Sequence, residues 1–417
     1  LKAFFGRLFL WVIFNAILNI FTGDFNSTFR SMKTVYFDNA ATTPIDERVL
    51  ETMLPFMRED FGNANSAHHL GQKAKVAVED AREFVASVIG AEPSEVIFTS
   101  GGTESDNAAI KGVLAVAGEK DEIITSELEH HAVLHPVEMS KMKGFKNLFA
   151  EPIQCGTITA SAVEEKISDK TALVSIMHVN NEIGCINHIK EIAELCRGKN
   201  IPFHTDAVQS LGKIPVDVKD LGIDLLSGSG HKIYGPKGVG IMYVRNGARW
   251  MPWMTGGSQE RRRRGGTLNV PGIVGFAKAL ELMTNEMEEN TDHYKKLRSL
   301  LLSKMDAELD VDYKINGNPE TGVAHILNLS FSNKDGHFID GEMLLLNLDI
   351  DGICVSNGSA CTSGAVEPSH VLAGIGLNDN LAKSSIRVSF GKKNTEEDVI
   401  YFVEKLNNVL TRMFATA

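Results

Sequence analysis

The sequence predicts an α/β fold: a large unit with a mostly parallel central sheet flanked by helices, and a smaller α+β unit towards the C-terminus. Three observations lead there. From Met32 onward, short apolar runs of strand length alternate with longer amphipathic stretches, the pattern of strands joined by helical crossovers. Polar, glycine-bearing clusters follow several of the runs, and in such sheets ligands sit beyond the carboxyl ends of the strands. Finally, 417 residues, 43% of them hydrophobic, suffice for a large core and two or three domain-sized units.

In chain order, residues 34–37 form the first expected strand. Residues 96–98 (VIF) form another, followed by 100–103 (SGGT) and a helical pattern through Leu114. Ile123 and Ile124 lead to His130, and 173–177 lead to the cluster HVNN at 178–181. The run 201–203 precedes Asp206, Leu225 and Leu226 precede Lys232, and 240–244 closes the series. Residues 292–305 read as a long charged helix leading into a second unit, which contains 326–331, the loop around Cys361, and 385–390. The expected division is an extension (1–31) outside the fold, a large unit (32–290) whose first residues pack with the small one, and a small unit (291–417) carrying the cysteine loop.

The extension differs from the rest. Lys2 and Arg7 precede an apolar stretch, 8–21, interrupted by Asn15 and Asn19. It is shorter than the about 20 residues a spanning helix needs, and no small-x-small cleavage site follows. It is therefore read as an upstream extension of the reading frame, with a membrane role secondary. A net charge of −11 excludes the basic footprint of a nucleic-acid binder. The five cysteines, 155, 185, 196, 354 and 361, form no C-x-x-C pair, so reduced thiols in a cytoplasmic enzyme are expected, with no metal site. The first four lie in ordinary stretches and are expected to be buried as small hydrophobes.

The chemistry gathers in a few segments. Lys232 lies in 227–238 (SGSGHKIYGPKG), where a glycine-rich turn after a strand can hold its amine for a Schiff base with an aldehyde cofactor. Alone, it reads equally as a solvated loop lysine. Asp206 can pair with a pyridinium nitrogen or cap a helix, and Gln209 can contact a ring hydroxyl or be a surface amide. Gly102 and Thr103 open a helix whose free N–H groups favour a phosphate, with Ser229 and His231 as further contacts. His130 can stack on a planar ring and move protons, although composition does not separate it from its neighbour His131. Cys361 sits in 355–364 (VSNGSACTSG), a small, polar loop that leaves a thiol exposed, unlike the apolar setting of an inert buried cysteine.

Five segments in order resemble the cysteine desulfurases of the NifS/IscS-like group, within the class-V aminotransferases and fold-type I pyridoxal-phosphate (PLP) enzymes. They are 36–44 (YFDNAATTP), 98–107 (FTSGGTESDN), 177–184 (MHVNNEIG), 229–238 (SGHKIYGPKG) and 359–364 (SACTSG). The resemblance runs from about Val35 to about Val399. It implies pyridoxal 5′-phosphate held on Lys232, with Asp206 on the ring nitrogen, Gln209 on the ring hydroxyl and His130 stacked on the ring. Phosphate contacts fall to Gly102, Thr103, Ser229 and His231, with Thr267 reaching in from the second subunit of a homodimer. Arg387 resembles the arginine that grips the substrate carboxylate, a task suited to a planar guanidinium, with Asn181 beside it. The implied reaction converts L-cysteine to L-alanine, with Lys232 removing the Cα proton and Cys361 taking the sulfur as a persulfide for an acceptor protein or thiol. Sulfur for iron–sulfur clusters or other thio-cofactors is the implied use.

Two features depart from the family pattern. Residues 261–264 are four consecutive arginines, read as a solvated charged loop or as part of the site entrance or a partner surface. The sequence after 401–410 lacks the longer tail with which some members dock a scaffold protein, so the acceptor stays open. A selenocysteine lyase and an aminotransferase-like relative share the cofactor cradle but do not require the Cys361 thiol. A silent interaction protein would be expected to lack Lys232, Asp206 or Cys361.

Overall fold

The computed structural model describes residues 33–318, 320–357 and 368–416. The extension 1–31 and Cys361 lie outside the described residues. In chain order the elements are β1 (Val35–Tyr36), α1 (Glu47–Arg58), α2 (His69–Val88), β2 (Val96–Thr99), α3 (Gly102–Leu114), β3 (Glu122–Thr125), α4 (His131–Ser140) and β4 (Lys146–Phe149). They continue with α5 (Ala160–Glu164), β5 (Thr171–Ser175), α6 (Ile189–Gly198), β6 (Phe203–Asp206), α7 (Val218–Leu221), β7 (Leu225–Ser229), β8 (Gly240–Val244) and α8 (Val270–Asn285). The C-terminal part holds α9 (Met287–Glu308), β9 (Asp312–Asn316), β10 (Ile326–Ser332), α10 (Gly341–Ile350), β11 (Ile353–Cys354), α11 (His370–Gly374), α12 (Asp379–Lys383), β12 (Ser385–Ser389) and α13 (Glu396–Thr416).

The main sheet has seven strands in the order β2-β8-β7-β6-β5-β3-β4. Only β8 opposes the others: it pairs antiparallel with both β2 and β7, while the remaining pairs are parallel. Strands covered on both faces read as continuous apolar runs, and side-chain alternation divides them between two cores. Ile97, Ile123, Leu173, Leu225 and Met242 pack with α3 and α4 residues such as Ile110 and Val137. Their chain neighbours Phe98, Ile124, Val174, Leu226 and Ile241 face the other way, onto α2, α6 and α8 through Val85, Ile192 and Phe276. One consequence is that the strands' carboxyl ends meet along one edge of the sheet.

The second core is built on the antiparallel sheet β12-β10-β9. Leu329, Phe331, Ile386 and Val388 pack with Leu297 and Leu301 of α9 and with Phe402 and Leu406 of α13. β1 belongs with this layer. It pairs parallel with β11, and Phe37 sets its ring edge-on to Phe390 and Phe402, each at 5.6 Å. The position expected to divide the two units, after residue 290, falls inside α9, which begins at Met287 and runs unbroken to Glu308. Cys185 and Cys196 are buried as expected, whereas Cys155 and Cys354 are only half-buried.

Candidate active site

At the carboxyl edge of the main sheet lies a cavity of about 280 Å³. Gly102, Thr103, His130, Asn181, Asp206, Gln209, Ser229, His231, Lys232 and Arg387 all line it. These residues come from segments more than 280 positions apart, most of them following strands that end at this edge, with Arg387 brought across from β12 of the second sheet. A smaller cavity, about 190 Å³, among Arg197, Asp224, Arg245 and Arg249 contains none of the motif residues. Convergence of chemistry, rather than cavity shape, therefore singles out the site.

The lysine is held by the first motif. Lys232 closes a short turn after β7, and its Nζ donates to the carbonyls of Ala40 and Ala41 at 2.7 and 2.5 Å. The loop around Thr42 is clamped in return. Thr43 N and Oγ1 both donate to the His231 carbonyl, and Tyr234 N donates to Thr43 Oγ1 at 2.8 Å. Tyr234 takes a left-handed φ of 62°, costly for a bulky residue and sustained by this clamp.

Asp206, at the end of β6, accepts from Val208 N at 2.8 Å and is buried. Burial pushes its carboxyl up to about 6, while the charge of Lys232 opposes that rise. Two more acids lie close. Asp106 of α3 and Glu129 are held well above the usual carboxylate range, first by burial and also by the charge of Asp206. His204, on the same face of β6 two residues earlier, is pushed down to about 3 and bonds Ser175 and Ser227 at 2.8 and 3.1 Å. An imidazole pushed towards its neutral form and two acids pushed towards their protonated forms thus surround Asp206, whose charge Lys232 favours.

The start of α3, where a phosphate is expected, borders the same cavity. Gly101 has φ of 148° and Gly102 approaches closely enough that a Cβ there would meet Val208 Cγ2 at 2.7 Å. Glu104 of the first turn accepts from Ser100 N and is paired with Arg264 at 2.8 Å. The arginine run is partly solvated, with Arg261 and Arg262 exposed, and partly tied to the protein. Arg261 holds the Pro93 carbonyl and Glu79, Arg263 donates to the Ser94 carbonyl, and Arg264 holds Glu104. Just before them, buried Glu260 takes two 2.7 Å bonds from Arg82. Three successive non-glycine residues here, Glu260, Arg261 and Arg262, have positive φ, a strain that these contacts sustain.

Across the cavity, Arg387 of β12 donates to the Asn181 backbone carbonyl at 2.9 Å and to Asp38 Oδ1 at 2.8 Å, leaving its buried Nε unpartnered. His130 is exposed to the cavity, and desolvation by the surrounding protein, then the charge of Lys232, lowers it to about 4. Its Nδ1 accepts from Ala132 N at 3.1 Å, so the neutral ring carries its proton on Nε2. His131 also borders the cavity, stacked on His135 and facing His370, each with ring centroids 4.8 Å apart. Thr267 is exposed and does not line this cavity. The sequence reading did not single out Asp38, Asp106, Glu129, His204, Lys213 or His370. Asp38 sits inside the 36–44 motif, Asp106 inside the 98–107 motif and His370 just beyond the cysteine segment, whereas Glu129, His204 and Lys213 give no local signal, since only tertiary packing makes them neighbours of Asp206 or Gln209.

These residues fit a flat, phosphorylated aldehyde. A lysine amine, a carboxylate, a helix that starts on glycine and a guanidinium line one space. A family model described as aminotransferase class-V matches residues 35–402. A protein of Clostridium botulinum named cysteine desulfurase IscS is 47% identical over 380 residues, covering 91% of this chain and 94% of that protein. Among solved structures, a NifS-like protein superposes with a TM-score of 0.84 at 42% identity, covering 91% of this chain and 100% of its own. Another, described as SspA in complex with cysteine, has a TM-score of 0.76 at 37% identity, covering 86% and 99%.

Proposed function

The chain belongs to the class-V aminotransferase family, and from that premise we propose that it is a cysteine desulfurase, releasing L-alanine from L-cysteine and keeping the sulfur on Cys361. The observation that carries the reading is the convergence of Lys232, Asp206, the start of α3 and Arg387 on one cavity. Pyridoxal 5′-phosphate, when bound, supplies an electron sink for bonds broken at the substrate Cα. Lys232, Asp206, Gln209 and His130 would hold its ring, and Gly102, Thr103, Ser229 and His231 its phosphate.

The chain's own groups do the rest. Asp206, raised only to about 6 and with Lys232 beside it, is anionic at neutral pH. Lys232 Nζ, now held on two carbonyls, is the base for the Cα proton. Arg387 exchanges Asp38 for the substrate carboxylate, gaining a bond for its free Nε. His130, neutral and with its proton on Nε2, stacks without adding a charge. Cys361 lies outside the described residues, but both flanks of its segment abut the site. Ser356 pairs with Arg387 backbone to backbone, and His370 lines the cavity.

Because Thr267 is remote from its own cavity, the proposal includes a homodimer in which it serves the second subunit. A reducing, cytoplasmic setting and a thiol acceptor complete it; among the described residues no helix is long and apolar enough to cross a membrane. The test is product analysis: the chain, with pyridoxal 5′-phosphate and a reducing thiol, should convert L-cysteine to equal amounts of alanine and sulfide. Pyruvate in place of alanine would mean β-elimination and overturn the reading.

A further inference from the structure

Lys213 belongs to none of the motifs, yet it reaches the site from behind. It lies four residues beyond Gln209 in the turns that follow β6, and its Nζ donates to Gln209 Oε1 at 2.9 Å. Gln209 Nε2 in turn donates to the Ala40 carbonyl at 2.9 Å, which also accepts Lys232 Nζ at 2.7 Å. Two lysines are thus joined through one side-chain amide and one carbonyl. Among the described residues no carboxylate lies within ion-pair distance of Lys213. The charged or titratable groups facing it are Lys232, Arg387, His231 and His325. Burial, then the charges of Lys232 and Arg387, lowers it to about 7. An ammonium held among cations is costly, and a costly contact points to a task.

The task follows from hydrogen-bond inventory. Below about pH 7 Lys213 is an ammonium with donors only, whereas a glutamine amide has an acceptor at one end and two donors at the other. With Lys213 on Oε1, the NH₂ end must face the cavity, one hydrogen on Ala40 and the other available. We propose that Lys213 is a positioning residue that locks the Gln209 amide with its donor towards the cofactor's ring oxygen. The inference rests on the cofactor reading above. A flipped amide would present its oxygen instead and favour a protonated ring hydroxyl. A donor on the ring oxygen draws electron density from the nitrogen shared with Lys232 and weakens that nitrogen's hold on its proton. Releasing the lock therefore raises the pH at which the nitrogen loses its proton.

The test is a pH titration of the visible absorbance of the holoenzyme and of four variants: Lys213→Met, Lys213→Arg, Gln209→Met, and the double variant with both Met substitutions. Lys213→Met should raise the midpoint by about one pH unit, a tenfold change in proton affinity. Lys213→Arg, which still only donates, should stay near the unmodified enzyme. The direct field of the Lys213 charge would shift the midpoint by the same amount whether or not Gln209 is present. Action through the amide requires that Lys213→Met shift it less in the Gln209→Met background. Equal shifts in the two backgrounds, or none in the first, overturn the proposal. Should the Met variant not fold, Lys213→Gln gives the same comparison without an apolar tip. A Lys232→Ala control separates the two levels of inference. The same pH-dependent visible transition surviving it would sink the cofactor reading, and the Lys213 proposal with it, whereas its loss leaves the midpoints to judge Lys213 alone.

Discussion

Asp206 and Arg387 carry the sharpest expectations at the level of single residues. The folded value of Asp206, about 6, lies above its ordinary 3.8. The folded protein therefore binds this proton more tightly, and the apoprotein gains stability from it as pH falls from 6 towards 4, while a partner for a pyridinium is lost. Affinity for pyridoxal 5′-phosphate should fall by about tenfold per pH unit below 6. Asp206→Asn should bind more weakly throughout and lose the pH dependence that separates it from the parent, which fluorescence titration of the apoprotein would show. For Arg387, replacement by Lys keeps the charge and removes the fork. Charged hydrogen bonds of this kind contribute about 1.5–3 kcal/mol, so kcat/KM for L-cysteine should drop roughly 10- to 100-fold. An unchanged value would take the substrate carboxylate away from Arg387. The residue types at Lys232, Asp206 and Arg387 were readable in the sequence because each sits in a short, distinctive string. Lys213 was not, because its role depends on how the turns after β6 pack against the first motif.

Elements were legible in proportion to their burial. Gly240–Val244 is the strand that the run 240–244 predicts, and Ile326–Ser332 and Ser385–Ser389 lie within one residue of expectation. All three are buried almost throughout, GIMYV as a continuous apolar run, ILNLSFS and SIRVS with polar residues between the apolar ones. β4 and β9 escaped notice, and both are sheet edges: KNLF is exposed or half-buried throughout, and DYKIN is buried only at Asn316. Edge strands carry polar residues that mask the period, and the helix 292–305 was likewise read short of its true ends at Met287 and Glu308. The start of α3 yields a direct prediction. Gly102→Ala places a methyl 2.7 Å from Val208 Cγ2, so that side chain must move into the cradle. Overpacking of this sort costs about 1–3 kcal/mol, and cofactor affinity should fall by about tenfold with the far-ultraviolet circular dichroism unchanged. Affinity equal to that of the parent would place the phosphate elsewhere.

Across the whole molecule, two cores meet at one cleft. The large sheet brings Lys232, Asp206 and His130 to its carboxyl edge. The antiparallel sheet brings Arg387, and β1 ties the first motif to the second core through Phe37. Opposing walls thus hold the expected cofactor groups and the carboxylate grip, and the segment bearing Cys361 is anchored at both ends against them. The clamped arginine run fixes the loop that leads to Thr267, consistent with a residue presented to another subunit. The central claim is that the substrate's sulfur comes to rest on Cys361. The most direct measurement is mass spectrometry of the protein after brief exposure to L-cysteine with pyridoxal 5′-phosphate and no reductant, followed by alkylation and digestion. The account predicts one added sulfur atom on the peptide containing Cys361, and none in a Cys361→Ala protein, which should also make no alanine. Alanine production that persists in that variant, or the extra sulfur found on Cys155 or Cys354 instead, would contradict it.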